Sequence, residues 1–290
     1  MNREDRDFPP LLKEINDPPQ SLFVRGNIEP LLDKDVRILC VVGSRRYSNY
    51  AKEAVEKLIA GLKGYPVCIV SGLALGVDSI AHRSALENNI YTISFPGSGL
   101  DPSVIYPSFH AGLSEDIVES GGALLSEFDP LEKAAKWTFP SRNRLMAGVS
   151  HATLVVEAGL KSGTLITYAR AMDYNRDVAA IPGPIFSPLS AGPHMLIRNG
   201  ATPVTCVDDL LEFIGFARRN GQSILPLDDL RLKSLGNVDR EIINILLKGP
   251  VSKDVLVRQS GLETQRANLI ISTLELEGFI KEEMGVVRVV

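Results

Sequence analysis

Two short stretches of the chain combine glycine, hydroxyl side chains and cations in a way that suits phosphate binding. One follows an apolar run and reads Gly43, Ser44 and Arg45. The other precedes a helical pattern and reads Lys161, Ser162, Gly163 and Thr164. Free backbone amides and hydroxyls beside a cation are donors that phosphate oxygens accept. A tight turn with a solvated arginine and a serine-capped helix are the plainer alternatives for the two stretches.

A third stretch, FPSRNR at residues 139–144, brings two arginines to a predicted helix start. Ser141 suits the N-cap, which places Arg142, Asn143 and Arg144 in the first turn. The helix dipole disfavours cations there by a few tenths of a kcal/mol, up to about 1 kcal/mol each. Either a bound anion or an ion pair with the nearby carboxylates of residues 127 and 129 would offset this cost.

Positive charge is concentrated around FPSRNR although the whole protein is acidic. The formal net charge of the chain is −4, whereas residues 135–176 hold six lysines and arginines against two carboxylates. Lys136 and Phe139 add a cation and an aromatic ring three residues apart, a combination that single-strand binders use for stacking on bases. A phenylalanine at position 139 also fits a core position, and that alternative stays open.

The elements that must position these residues follow from the apolar pattern. Between residues 37 and 214, helical patterns alternate with six apolar runs: RILCVVGS, VCIVSGLA, YTISFPG, GALLSEF, ATLVVEA and DVAAIPG. Strands that are apolar on both faces and alternate with helices form a parallel sheet covered by helices. We predict an α/β, Rossmann-like fold, with the three stretches in loops after the first, fourth and fifth strands, where open sheets bind ligands.

Glycines also mark the ends of the predicted strands, at positions 43, 72, 97 and 183. Glycine permits sharp strand-to-helix turns, and its lack of a side chain lets the backbone approach a ligand closely. We therefore expect these glycines to face the ligand.

The sequence divides into four segments. We predict an N-terminal arm over residues 1–36, a Rossmann-like domain over 37–216, a linker over 217–236 and a small C-terminal winged-helix domain over 237–290. The last segment reads as three helices and a hairpin. Its net charge is −1 and its third helix carries acidic residues, which argues against a reader of duplex DNA.

The sequence lacks the motifs that are typical of several other classes of protein. No GxGxxG, P-loop or GxSxG pattern is present, so we expect no dinucleotide, no P-loop nucleotide and no hydrolase elbow. The three cysteines are far apart and no CxxC or HExxH occurs, so we expect no metal and no cofactor. Asp78 and His82, four residues apart on a predicted helix, could form an acid/base pair, but a packing contact is the better interpretation.

Cellular location follows from similar observations. The first residues, MNREDRDFPP, have no apolar stretch typical of a secretory signal, and no apolar run approaches the roughly 20 residues that span a bilayer. We expect a cytoplasmic protein with no membrane span.

Eight ordered blocks of this sequence resemble the bacterial DNA-processing protein A family (DprA, also called Smf). They cover about residues 20–215 and read GSR, SGLALGVDSIAH, PGSGLDPSVIYP, SEF, FPSRNR, VVEAGLKSGTLIT, IPGP and HMLIRNGA. The C-terminal segment is similar to the winged-helix domain that many members carry.

This resemblance implies a protein of natural transformation that has no catalytic activity. Such a protein binds and protects incoming single-stranded DNA, loads the RecA recombinase onto it, and forms a homodimer through the Rossmann-like domain. By motif, Arg45, Lys136 and Phe139 match DNA-binding positions of the family, with Phe139 the base-stacking one, and Arg142 and Arg144 line the same pocket.

The sequence departs from the family pattern in three places. Only the arm stands where many members carry an N-terminal helical domain, the segment DPLEKAAKW has fewer glycines and prolines, and His194 replaces a common asparagine.

The rival function is enzymatic. The similar cytokinin-activating phosphoribohydrolases cleave nucleoside monophosphates with a PGGxGTxxE motif, and here Thr167 stands where their catalytic glutamate would be. A duplex-binding regulator that acts through the winged helix is a third possibility, which the charge of that domain disfavours.

Overall fold

The six apolar runs form neighbouring parallel strands in the computed structural model, which describes residues 1–216, 237–246, 251–276, 279–283 and 285–289. These residues divide into two units, Met1–Arg218 and Arg219–Val290. The linker predicted over 217–236 lies outside the described residues. The α/β, Rossmann-like fold class is confirmed.

The first unit contains eight strands and eight α-helices within the described residues. The strands are β1 (Phe23–Gly26), β2 (Arg37–Val42), β3 (Val67–Ser71), β4 (Tyr91–Ser94), β5 (Ala123–Ser126), β6 (Ala152–Val155), β7 (Asp177–Ala180) and β8 (Thr202–Pro203). The helices are α1 (Pro10–Lys13), α2 (Asn49–Ala60), α3 (Val77–Glu87), α4 (Ala111–Glu119), α5 (Thr138–Val149), α6 (Thr164–Asp173), α7 (Ala191–Arg198) and α8 (Val207–Phe213).

The strands lie in the order β1-β5-β4-β3-β2-β6-β7-β8, and the direction in which the chain adds strands reverses at β2. From β2 the chain adds β3, β4 and β5 on one side, and then returns to place β6 on the other side of β2. Cys40 of β2 pairs with Thr153 of β6, and Val42 with Val155, in parallel register. Loops that leave β2 and β6 in opposite directions open a crevice at the carboxyl ends of these strands.

Apolar side chains cover both faces of the sheet. One core cluster includes Leu145 and Met146 of α5, and the other includes Val55 of α2 and Val77 of α3. The central strand β3 is buried along its whole length, and its neighbour β2 is buried after its first residue. Burial on both faces explains why these strands read as continuous apolar runs rather than alternating ones.

Residues 1–36, predicted as an arm, pair with the sheet and pack into its core. Strand β1 pairs antiparallel with β5 at the edge of the sheet, with Phe23 opposite Ser126. Phe8, Leu12 and Ile15 are buried in the same core cluster as α5. The strand was missed because its four residues, FVRG, are only partly buried and show no apolar alternation.

The second unit contains three helices and a three-stranded sheet within its described residues. The elements are α9 (Asn237–Leu246), β9 (Val251–Ser252), α10 (Lys253–Gln259), α11 (Thr264–Leu276), β10 (Ile280–Glu283) and β11 (Val286–Val289). The sheet has the order β10-β11-β9, with antiparallel neighbours. Three helices with a terminal hairpin are the arrangement predicted for a winged helix.

No helix among the described residues has both the length and the apolar character needed to cross a membrane.

The N-terminal residues should be part of the stability of the first unit. Leu12→Ala should lower the free energy of unfolding by about 2–5 kcal/mol, because it removes a fully buried side chain and leaves a cavity. Urea denaturation followed by circular dichroism measures this loss. Leu131, which is 64% exposed, is the matched control, and Leu131→Ala should change stability by less than about 0.5 kcal/mol. Equal stability of the two variants would contradict the packing described for Leu12.

Candidate functional site

A cleft of about 760 Å³ lies beyond the carboxyl ends of the strands, with loops after both β2 and β6 in its lining. Ten of the twelve residues selected from the sequence line it: Gly43, Ser44, Arg45, Lys136, Phe139, Arg142, Asn143, Ser162, Gly163 and Thr164. The structure therefore brings three sequence-distant stretches together. That these residues bind nucleic acid stays a prediction.

One hydrogen bond joins the two loops predicted to bind phosphate, and others fix each loop internally. The Thr164 hydroxyl donates to the Gly43 carbonyl at 3.1 Å, and the Thr164 amide donates to the Ser162 hydroxyl at 3.2 Å. The Ser44 hydroxyl donates to the Arg46 carbonyl at 2.6 Å and accepts from the Arg46 amide at 3.1 Å. Both loops are thus fixed before any ligand arrives, which reduces the entropy that binding would cost.

Phe139 lies in the wall of the cleft and is only partly buried. The Arg45 guanidinium lies over its ring, 5.1 Å from the centroid, and Tyr106 meets it edge-on with centroids 5.7 Å apart. Gly97 lies against the ring, since a Cβ there would come within 2.6 Å of Cδ1. The alternative that Phe139 is a core residue is therefore not supported.

The start of helix α5 differs from the prediction. The helix begins at Thr138, three residues before the predicted N-cap Ser141, and the Thr138 hydroxyl bonds to the Gly97 carbonyl at 2.6 Å. The Ser141 hydroxyl instead donates to Glu127 at 2.9 Å. Arg142 consequently lies in the second turn of the helix, so the dipole cost that suggested a bound anion does not apply to it.

Arg142 forms the floor of the cleft rather than an exposed ligand for phosphate. Only 3% of the residue is exposed, and its guanidinium donates to the Phe95 carbonyl and packs against Gly72. Its Nε has no hydrogen-bond partner among the described residues. Burial lowers the pKa of Arg142, and the negative charge of Asp78 opposes this shift.

Asp78 is the buried carboxylate of the cleft lining. Burial raises its pKa, whereas the positive charge of Arg142 and hydrogen bonds with the backbone of Ala74 and Gly72 lower it. His82, its predicted partner, contacts Thr92 instead, with 2.8 Å between Nδ1 and the hydroxyl oxygen. Burial lowers the pKa of His82 to about 3, so this histidine is a neutral packing residue.

Two selected residues lie outside the cleft lining. Arg144 forms ion pairs with Glu127 and Asp17 and donates to the Asp17 carbonyl at 2.7 Å, so the proposed place in the pocket is wrong and the ion-pair alternative holds. Lys161 is exposed on the loop before α6, but it is not part of the lining.

The lining also includes residues that the sequence reasoning missed, notably Arg46 and Tyr106. A signal for Arg46 existed, since it directly follows Arg45 in the same turn. Tyr106 stood in the block PGSGLDPSVIYP without an assigned role, because nothing in the sequence places that loop beside Phe139. His194, which replaces a common asparagine of the family, contacts the Gly183 carbonyl at 3.0 Å through Nε2.

Within the described part of the chain, no group of three or more His, Cys, Asp or Glu side chains is arranged to hold a metal ion.

Removing the buried guanidinium should destabilise the protein in a pH-dependent way. Arg142→Met should lower the free energy of unfolding at pH 7 by about 1–3 kcal/mol, because the Phe95 carbonyl loses its donor and Asp78 loses a nearby cation. The loss should shrink as the pH falls. The variant raises the folded-state pKa of Asp78 further above its unfolded value, so the folded state gains a proton first.

Urea denaturation at pH 7 and pH 5 measures both effects, with Arg83→Met, an exposed arginine of α3, as the control. A loss independent of pH would show that Asp78 does not depend on Arg142.

Two family models and several known proteins match this sequence. The family model described as DNA recombination-mediator protein A matches residues 1–215, and the model described as DprA winged helix domain matches residues 228–285. Protein Smf of Escherichia coli (strain K12) is 37% identical over 288 residues, which is 96% of this chain and 74% of that protein. DNA processing protein DprA of Streptococcus pneumoniae is 46% identical over 204 residues, 70% of each chain.

Two solved structures are also similar. The X-ray structure of DNA processing protein A from Streptococcus pneumoniae superposes with a TM-score of 0.68 at 42% identity, and the match covers 73% of this chain and 72% of that one. The structure of DNA processing protein A from Helicobacter pylori, described as giving insight into a unique single-stranded DNA binding mode, has a TM-score of 0.64 at 27% identity. That match covers 72% of this chain and 93% of the other.

Proposed function

This chain belongs to the DNA recombination-mediator protein A family, and from that premise we propose that it binds single-stranded DNA in the cleft beside β2 and β6. The observation that carries the proposal is the convergence of the Gly43 turn, the α6 start and Phe139 in one cleft. The single-stranded DNA binding mode described for the Helicobacter pylori relative supports it.

Phosphates would bind at the rim of the cleft. Arg45, Arg46 and Lys136 are exposed there, whereas the charges deeper in the cleft, Arg142 and Asp78, are buried and oppose each other. The accessible positive charge is therefore at the rim, and the backbone would follow it. Exposed cations that exchange counterions for phosphates make binding depend on salt.

Bases would contact the wall of the cleft at Phe139. A ring beside a basic groove can stack on any base, because every base has a π-face. Such binding tolerates sequence variation but needs unpaired bases. A duplex, whose bases are stacked inside two backbones, would not reach Phe139.

The proposed DNA binding also suggests a cellular role. We infer that the protein protects incoming single-stranded DNA in the cytoplasm and loads RecA onto it during natural transformation, acting as a homodimer through the Rossmann-like domain. The family description, a recombination mediator, supports a role beside a recombinase. We infer that the winged-helix unit does not bind duplex DNA, because residues 237–290 carry a net charge of −1.

We also infer that the cleft has no enzymatic function. Thr167 lines the cleft at the position where a phosphoribohydrolase would need its glutamate. Asp78 is a carboxylate of the lining, but it is hydrogen-bonded to the backbone of Gly72 and Ala74. These hydrogen bonds and the positive charge of Arg142 already occupy this carboxylate, so we infer that it does not exchange protons with a substrate.

The two parts of the site should respond differently to substitution. Wild-type affinity for oligo-dT should fall as salt rises, with log K linear in log salt and a slope of about 0.7 per neutralised phosphate. Arg45→Ala should weaken binding and reduce this slope by less than about one unit. Phe139→Ala should weaken binding by about 1–3 kcal/mol and leave the slope unchanged, because no phosphate contact is lost.

Fluorescence anisotropy over a salt series measures these effects, and thermal melting shows whether each variant is folded. Arg83→Ala, which removes an exposed cation outside the cleft lining, should bind like the wild type. An affinity that does not depend on salt concentration, or a preference for duplex oligonucleotides, would contradict the proposal.

Incubation of the protein with a panel of nucleoside monophosphates should release no free base, because no carboxylate stands at position 167. Chromatography of the reaction mixture detects the base. Turnover by the wild type that disappears in Asp78→Asn would instead support the phosphoribohydrolase function.

A further inference from the structure

Tyr106 is an aromatic residue of the cleft with no role in the function derived so far. It is 50% exposed, whereas Phe139, the other ring in the cleft lining, is partly buried. Among the described residues, the Tyr106 hydroxyl has no hydrogen-bond partner, so the side chain is not held by a polar contact. Its ring meets the Phe139 ring edge-on.

The surroundings of Phe139 leave little of its ring free. Gly97 lies at the ring edge, the Arg45 guanidinium covers one face, and Tyr106 meets the ring at an interplanar angle of 62°. A base that stacks on Phe139 therefore displaces Arg45 from the ring or uses the other face. Of the two rings in the cleft lining, that of Tyr106 belongs to the more exposed residue.

We propose that Tyr106 is a second base-stacking residue of this cleft, which binds the base next to the one at Phe139. The proposal rests on the single-stranded DNA binding proposed above and assigns a subsite to it. The site is tolerant of base identity, because stacking uses the π-face that all bases share. The half-exposed ring already lies at the cleft wall, so binding requires little rearrangement.

The angle between the two rings determines the shape of the bound strand. Two bases that stack on rings inclined by 62° are not parallel to each other. The strand must then turn between these two nucleotides, and the two bases lose their mutual stacking. A base pair in a duplex cannot adopt this arrangement, so the pair of rings adds a second reason for preferring single strands.

The test measures binding of the full chain to oligo-dT by fluorescence anisotropy over a salt series. Tyr106→Ala should weaken binding about 5- to 150-fold, the effect of losing one stacked base, with an unchanged salt slope. Tyr106→Phe keeps the ring and should bind nearly as well as the wild type. Tyr106→Leu keeps apolar contact with Phe139 but has no aromatic face, and it should be as weak as Tyr106→Ala.

The matched control is Phe109→Ala. Phe109 lies three residues further along the chain and is 66% exposed, but it packs edge-on against His110 and is not part of the cleft lining. This variant should keep wild-type affinity. Equal melting temperatures of all four variants and the wild type show that the differences arise in binding.

An oligonucleotide series with one abasic nucleotide moved along the strand locates the two bases. For the wild type, an abasic nucleotide at either of two positions should lower the affinity. In Tyr106→Ala, the abasic nucleotide at one of these positions should no longer lower the affinity further. In Phe139→Ala, the same should hold at the other position. Wild-type affinity of Tyr106→Ala, or an abasic pattern that this substitution leaves unchanged, would overturn the inference alone. Absence of salt-dependent binding by the wild type would overturn the proposed function and the inference with it.

Discussion

The burial of one guanidinium, that of Arg142, is the constraint on which the cleft depends. Helix α5 can bury this charge only where acceptors exist, because an unpaired buried charge costs several kcal/mol. The acceptor is the Phe95 carbonyl after β4, the space is left by Gly72 after β3, and the opposing charge is Asp78 of α3. The helix is therefore fixed against three separate elements. Phe139, one turn earlier on the same helix, is thereby placed against Gly97.

The net positive charge of residues 135–176 does not show which of their cations are exposed in the cleft. Arg144 and Arg176 are neutralised by Asp17, Glu127 and Glu14, so two arginines of this segment hold the N-terminal residues and the loop after β5. Arg142 is buried. The cations that remain exposed in the cleft come largely from the turn after β2 and from Lys136. Ion pairing thus serves the fold, and the exposed cations are left for a ligand.

The sequence was sufficient for the fold class and for most of the site, for identifiable reasons. Doubly buried strands such as β3 read as apolar runs, and topology alone brings their carboxyl ends together, so the Gly43 and Thr164 loops could be paired from the apolar pattern. The edge strand β1 and the neighbourhood of Tyr106 depend on tertiary contacts that leave no local pattern. The start of α5 was misplaced because Ser141 is a good N-cap by type, yet its hydroxyl bonds to Glu127.

The glycines at the strand ends show how the motifs encode the site indirectly. They were expected to let the backbone approach a ligand, but a protein side chain occupies the space beside each of the four, with Ser190 beside Gly183. Val77 packs against Gly43, Arg142 against Gly72 and Phe139 against Gly97. A Cβ at Gly72 or Gly97 would displace a side chain that lines the cleft, Arg142 or Phe139. The glycines therefore set the depth of the floor and the position of the aromatic wall, and the ligand meets the side chains that the glycines admit.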